Sequence, residues 1–162
     1  MSLISALANV HHQGQFGDFE DKKGDDLLQI SEKKNLLIVQ IVQFKYSKIP
    51  IEIIDIDGLK LKDSSLNVAF NENTRMLWNG PKNWLLVSTK KDLIKKISST
   101  CKETDFAVTD LSHSRAVIEI EGNYAIEVLK KGSPFNFDVL KKNNSINSLY
   151  NNITFTVDLL ND

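Results

Sequence analysis

The run Asp110–Asp138 constrains the fold more than any other stretch. Within it, Arg115–Glu121 reads as a strand. Ala116, Ile118 and Ile120 fall on one face and Glu119 and Glu121 on the other, the alternation of a half-buried strand. Gly122 and Asn123 break that alternation, and Asn123 is placed to cap a helix with its side-chain oxygen. Ala125, Ile126 and Leu129, with Val128 alongside, then recur at helical spacing, giving an apolar stripe to pack on a sheet. Glu127 and Lys131 stand four apart, in the favourable order for an ion pair. Gly132 suits a left-handed residue after the helix, and Pro134 stops the helix from resuming.

A chain of 162 residues is the size of one domain with a real core, and 41% hydrophobic with 25% charged residues fits an ordinary globular protein. The formal net charge of −1 offers nothing to a nucleic acid or an anionic membrane. One cysteine, Cys101, forbids an internal disulfide and fits a reducing compartment. The N-terminus lacks the basic region of a signal peptide, and no stretch approaches the roughly 20 apolar residues of a membrane helix.

Residues 1–26 are polar, with a charge run at Asp18–Lys23. They read as an N-terminal arm, loose or ordered by a partner, ahead of a single domain over 27–162. A short strand starts near Leu27–Ile30. A longer one covers Asn35–Phe44, where the continuous apolar run Leu36–Val39 asks for cover on both faces. Lys48–Ile56 reads equally as strand or as a short helix opened by Pro50. Asp57–Gly58 is a turn, and Lys60–Asn73 a connection with an extended piece at Leu66–Phe70. Arg75–Asn79 and Trp84–Thr89 form a hairpin turned by Pro81, Lys90–Cys101 is an amphipathic helix, and Phe106–Leu111 is a strand. Asn143–Asn152 reads as an Asn/Ser-rich loop before a closing strand, Asn152–Leu160. The order from Asn35 matches the split βαβ units of a ferredoxin-like sheet, an α+β class with helices on one face.

Three segments then carry a family resemblance. Leu77, Gly80, Pro81, Trp84 and Leu85 in the hairpin, Asp110, Leu111 and Ser112 at the strand, and Leu129, Lys131, Gly132 and Pro134 at the helix end resemble the gamma subunit of heterotetrameric sarcosine oxidase. Ser133 stands where many relatives have cysteine, so no thiol chemistry is expected there. Relatives usually run on beyond the point matching Asp162, so this version is abbreviated or its sheet edge is completed by a partner.

The resemblance implies a fold similar to the folate-binding domain of the glycine-cleavage aminomethyltransferases. It implies membership of a four-subunit cytoplasmic complex that oxidises sarcosine to glycine and peroxide and passes the one-carbon unit to tetrahydrofolate. FAD, FMN, NAD and tetrahydrofolate belong to that complex, with none expected on this chain. The partners implied are the alpha subunit, with beta and delta. The alternative is a free-standing folate-binding or aminomethyltransferase-like protein, and a third reading is an interaction module of another complex.

No residue set here reads as catalytic or metal-binding. Asp110, Ser112, His113 and Ser114 hold the ingredients of a nucleophilic triad. Strand neighbours point to opposite faces, however, so Asp110 and Ser112 are expected in a turn, bonded to backbone N–H groups. His11 and His12 lack companions at ligand spacing and read as a surface pair. Gly132–Phe135 follows a helix, whereas phosphate cradles precede one. Trp78 and Trp84 divide between core and partner contact in preference to stacking a pterin ring. Cys101 reads as an inert, partly buried thiol. The partner-contact candidates are Trp78, Pro81 and Trp84 in the hairpin, Ser112, His113 and Arg115 beside the strand, and Phe135 after the helix.

Overall fold

The computed structural model describes residues 5, 7–17 and 27–161. The described residues run β1 (Gly14–Phe16), β2 (Leu28–Lys33), β3 (Leu37–Gln43), a 3-10 turn at Ile51–Ile53, β4 (Asp55–Ile56), β5 (Leu59–Lys60) and β6 (Val68–Phe70). There follow β7 (Thr74–Gly80), β8 (Asn83–Ser88), α1 (Leu93–Thr100), β9 (Phe106–Asp110), β10 (Val117–Glu121) and α2 (Ala125–Gly132). A 3-10 turn at Phe137–Val139, β11 (Ser145–Tyr150) and β12 (Ile153–Asp158) complete the order. This is an α+β arrangement, strand-rich with two helices. The chain divides into two compact units. One comprises Met1–Asn35, Ala116–Phe137 and Leu149–Thr154; the other comprises Leu36–Arg115, Asp138–Ser148 and Phe155–Asp162.

The second unit is built on a five-stranded antiparallel sheet in the order β6-β7-β8-β3-β9. Registered partners share a face. Leu37, Val39 and Ile41 therefore lie beside Leu86, Trp84, Met76 and Phe106, and these join one buried cluster. The β4–β5 hairpin adds Ile54, Ile56, Leu59 and Leu61 to that cluster, and α1 adds Leu93, Ile97 and Cys101. On the opposite face Ile38, Leu77 and Val68 are also buried, so the apolar run of β3 is covered on both sides as expected. Leu140 and Ile146 are buried in the same unit, and their segment is tied down by the Asn67–Asn144 bridge and by Ser145 N donating to Leu66 O at 3.0 Å. Arg75 clamps the segment further, bonding Asp158, donating to Asn143 Oδ1 at 3.2 Å and lying 5.1 Å over the Phe70 ring. The ambiguous stretch Lys48–Ile56 resolves into a 3-10 turn and then a strand. Pro50 precedes the turn, and past it Ile54 and Ile56 alternate into β4, both buried, instead of continuing a helix.

The first unit has a three-stranded sheet, β1-β2-β10, with unbroken antiparallel register from Val117↔Lys33 to Glu121↔Gln29. Within the expected arm, Gly14–Phe16 pairs with β2, while residues 1–4, 6 and 18–26 lie outside the described residues. Gly122 holds φ 124, and a Cβ there would sit 2.4 Å from Leu27 O, so the chain can leave β10 beside β2 only with glycine.

Four local expectations are corrected here. Asn123 does not cap α2: Tyr124 occupies that position, without a side-chain cap bond. Glu127 pairs with Lys130 at 2.8 Å, three residues on instead of four. Gly132 is the last helical residue and not a left-handed one. The expected loop Asn143–Asn152 contains β11, which meets β12 around Asn151 and Asn152. Those two residues take φ 46 and 66, as a two-residue hairpin turn with both corners left-handed demands.

Candidate functional site

The β7–β8 hairpin turns through Pro81 and Lys82, with Lys82 at φ 55, the second-corner conformation of a type II turn. The pairing shifts register between Trp78 and Gly80. Trp78 and Trp84 are cross-strand partners, and their indole N–H groups reach consecutive residues of one connection. Trp84 Nε1 donates to Lys62 O at 2.8 Å, and Trp78 Nε1 to Asp63 Oδ1 at 2.7 Å. Trp84 is 1% exposed and belongs to the core. Trp78 is half-buried and Pro81 exposed. The sequence reading missed Asp63, which fixes the hairpin by also accepting from Lys82 N at 3.3 Å.

At the C-terminal end of β9, Asp110 Oδ1 accepts from Ser112 N at 2.9 Å and from Ser112 Oγ at 2.5 Å. Ser112 Oγ accepts from Ile38 N at 3.0 Å, and Ser114 Oγ donates to Leu111 O at 3.2 Å. Asp110 and Ser112 thus accept from backbone N–H groups, as expected, and the serine protons are directed at Asp110 and Leu111 instead of His113. Ser112's hydroxyl and N–H keep the Asp110 carboxyl below its ordinary range. His113 and Arg115 are exposed.

The two groups of candidates are not brought together. Ser112 bonds Ile38 at one end of β3, whereas Lys82 O accepts from Gln43 N at the other. At roughly 3.3 Å per strand residue, the length of β3 separates them by over a dozen ångströms.

The densest polar cluster lies elsewhere. Asp57, at φ 58 in the β4–β5 turn, accepts from Thr74 Oγ1 at 2.7 Å, Asn71 Nδ2 at 3.1 Å and Lys90 Nζ at 2.8 Å. Thr74 and Ser88, both fully buried, bring their hydroxyls within 2.8 Å. Thr74 spends its proton on the carboxylate, so Ser88 donates toward Thr74 and Asn73 O. Lys90's ammonium first, and then the Thr74 hydroxyl, hold Asp57 down at about 2. The cluster staples the β4–β5 hairpin over the sheet. Sequence spacing gave no sign of it, because its members stand at positions 57, 71, 74, 88 and 90. Ser47 and then Thr104 similarly lower Asp105 through hydrogen bonds.

Cys101 is buried more fully than the partly buried thiol expected, and burial pushes its thiol up to about 11, far from a nucleophile's range. Among the described residues no group of three or more His, Cys, Asp or Glu side chains could hold a metal ion, and no helix is long and apolar enough to cross a membrane.

The first unit differs from the second in how little it buries. Among its described apolar side chains only Phe137 is fully buried, in edge-to-face contact with the half-buried Phe135 at 5.2 Å. No residue of α2 is fully buried. Ile118, expected to face inward, is 49% exposed, and Ile153 is 71% exposed; Val10, Phe16, Tyr124 and Leu149 are exposed too. Glu32, 6% exposed at its side chain, is bonded by Ser5 Oγ and lies 4.0 Å from His11 Nδ1. His11 is 9% exposed at its side chain, a correction to the expected surface pair, while His12 is exposed. His11 N donates to Leu7 O at 2.8 Å, closing the turn that Ser5 and Leu7 begin, which a polar local composition does not announce.

No family model matches the sequence, and no curated protein does. Among solved structures, the chain is similar to a chain of the heterotetrameric sarcosine oxidase from Corynebacterium sp. U-96 in complex with pyrrole 2-carboxylate. The TM-score is 0.75 at 23% identity, over 84% of this chain and 72% of that one. That likeness is one of fold.

Proposed function

We propose that this chain is a non-catalytic gamma-type subunit of a sarcosine oxidase complex, docking on the large alpha subunit. The observation that carries the reading is the fold likeness to a chain of a four-subunit sarcosine oxidase. Its coverage, 84% one way and 72% the other, means two chains of comparable length, which favours a small subunit. The hairpin, strand and helix-end motifs point the same way. The strand order β7-β8-β3-β9, entirely antiparallel, supports a ferredoxin-like core related to the folate-binding domain. The large apolar side chains exposed in the first unit, among them Ile118 and Ile153, support a docking role there; the second unit exposes others, such as Tyr46 and Ile53. The hydroxyls and carboxylates nearest to a catalytic set are engaged in turns. In this reading FAD, FMN, NAD and tetrahydrofolate stay with the complex, and the beta and delta subunits are met through it.

Co-expression with tagged alpha, beta and delta subunits tests this. The chain should co-purify in equal proportion with flavin-bearing subunits, and a chain that stays monomeric beside them contradicts the proposal. Calorimetric titration of the isolated chain with tetrahydrofolate addresses the alternative: heat at millimolar ligand supports a free-standing folate binder, and its absence supports the companion role.

A further inference from the structure

We propose that the outer edge of β10 receives an extended, basic strand from the partner, continuing the β1-β2-β10 sheet. The proposal rests on the companion-subunit reading and names the surface and the chemistry that reading leaves open.

Among the described residues β10 pairs only with β2 and ends its sheet. In an antiparallel sheet alternate residues of an end strand point N–H and C=O outward, ready to pair with another chain. Proteins usually blunt such edges with proline, a bulge or a very short strand. β10 has none of these: Val117–Glu121 contains three β-branched residues, no proline, and five registered pairs in a row, so its deterrent is charge, carried by Glu119 and Glu121.

Its side chains specify what can pair. Ile118 and Ile120 lie on one face, with Ile118 largely open to solvent. Glu119 and Glu121 lie on the other. Lys33 bonds Glu119 from the β2 side, whereas the cross-strand neighbour of Glu121 is the neutral Gln29. A strand alternating apolar and basic residues would cover the isoleucines and set a cation beside Glu121. A second copy of β10 is disfavoured, since the antiparallel register that joins Ile118 to Ile120 sets Glu119 against Glu119. The charge pattern thus selects against self-pairing and for a basic partner strand.

The test uses the full chain and two short peptides, one alternating valine with lysine and the other valine with glutamate. The lysine peptide should slow amide exchange at alternate residues of Val117–Glu121, and Glu121→Lys should weaken it about fivefold. Equal binding of both peptides, or protection only outside β10, overturns the proposal. Glu121 forms no ion pair within 4.0 Å among the described residues, and an unchanged melting temperature of Glu121→Lys confirms its fold. In co-expression with the large subunits, loss of capture by this variant supports the proposal. Equal capture of variant and wild type removes the β10 edge while leaving the companion role standing. If even wild type escapes capture, the companion role fails and the partner-strand proposal falls with it.

Discussion

Tyr150 lays its ring against the Cα of Gly132, so closely that a Cβ there would fall 2.5 Å from Tyr150 Cζ. Asn151 N donates to Gly132 O at 2.8 Å, and the Tyr150 hydroxyl to Val128 O at 3.3 Å. The β11–β12 turn and the last turn of α2 are therefore joined through a glycine that the helix itself does not require.

Helix propensity alone would make Gly132→Ala stabilising by about 1 kcal/mol. Overpacking against Tyr150 reverses the sign, and a loss of about 1–3 kcal/mol is expected in urea unfolding. In a Tyr150→Ala background the same substitution should regain its propensity benefit, giving strong non-additivity.

Asp57 predicts the acid response of the second unit. Its folded value, about 2, lies below the ordinary 3.8, so its contribution is fully present above pH 4 and is lost as pH falls toward 2. Asp57→Asn keeps tolerance of the left-handed turn and an acceptor for Thr74, but loses the ion pair with Lys90. It should flatten the stability profile between pH 4 and pH 2. Asp57→Ala also removes Thr74's carboxylate acceptor, leaving its hydroxyl only Ser88, and should cost more than Asp57→Asn at neutral pH.

The two tryptophans should separate by burial. Trp84→Ala is expected to cost about 3–5 kcal/mol, whereas Trp78→Ala, half-buried, should cost markedly less. Trp78→Phe keeps the ring and loses the bond to Asp63, which should loosen the Pro81–Lys82 turn. Amide exchange at Lys82 reads that directly.

Ser112→Ala removes the leading cause of the low Asp110 value. NMR titration should find the Asp110 carboxyl moved up toward its ordinary range. Its stabilising effect, present above that range and lost on acidification, should shrink accordingly.

Sequence pattern revealed the elements whose side chains repeat with a clear period. β3 announced cover on both faces through its apolar run, α1 its inner stripe at Leu93 and Ile97, and the β7–β8 hairpin its Pro81 turn. β11 was hidden because Ser145–Tyr150 is mostly polar; the legible signal was the Asn151–Asn152 pair, whose side chains tolerate left-handed corners. Periodicity sorted Ile118 onto the face of Ile120, yet a period tells which residues share a face and not whether anything covers it. The Asp57 cluster and the burial of His11 depend on contacts between distant positions, which local spacing does not encode. Of the candidate contacts, Trp84 turned inward while Pro81, His113 and Arg115 stayed exposed.

The central claim is that the apolar side chains bared in the first unit belong against a partner subunit. Hydrogen exchange by mass spectrometry, comparing the chain alone with the chain co-expressed beside alpha, beta and delta subunits, tests it most directly. Strong new protection across Val117–Gly132 and Leu149–Thr154, with the β3–β8 core unchanged, is the predicted result. Identical exchange in the two samples would contradict the account.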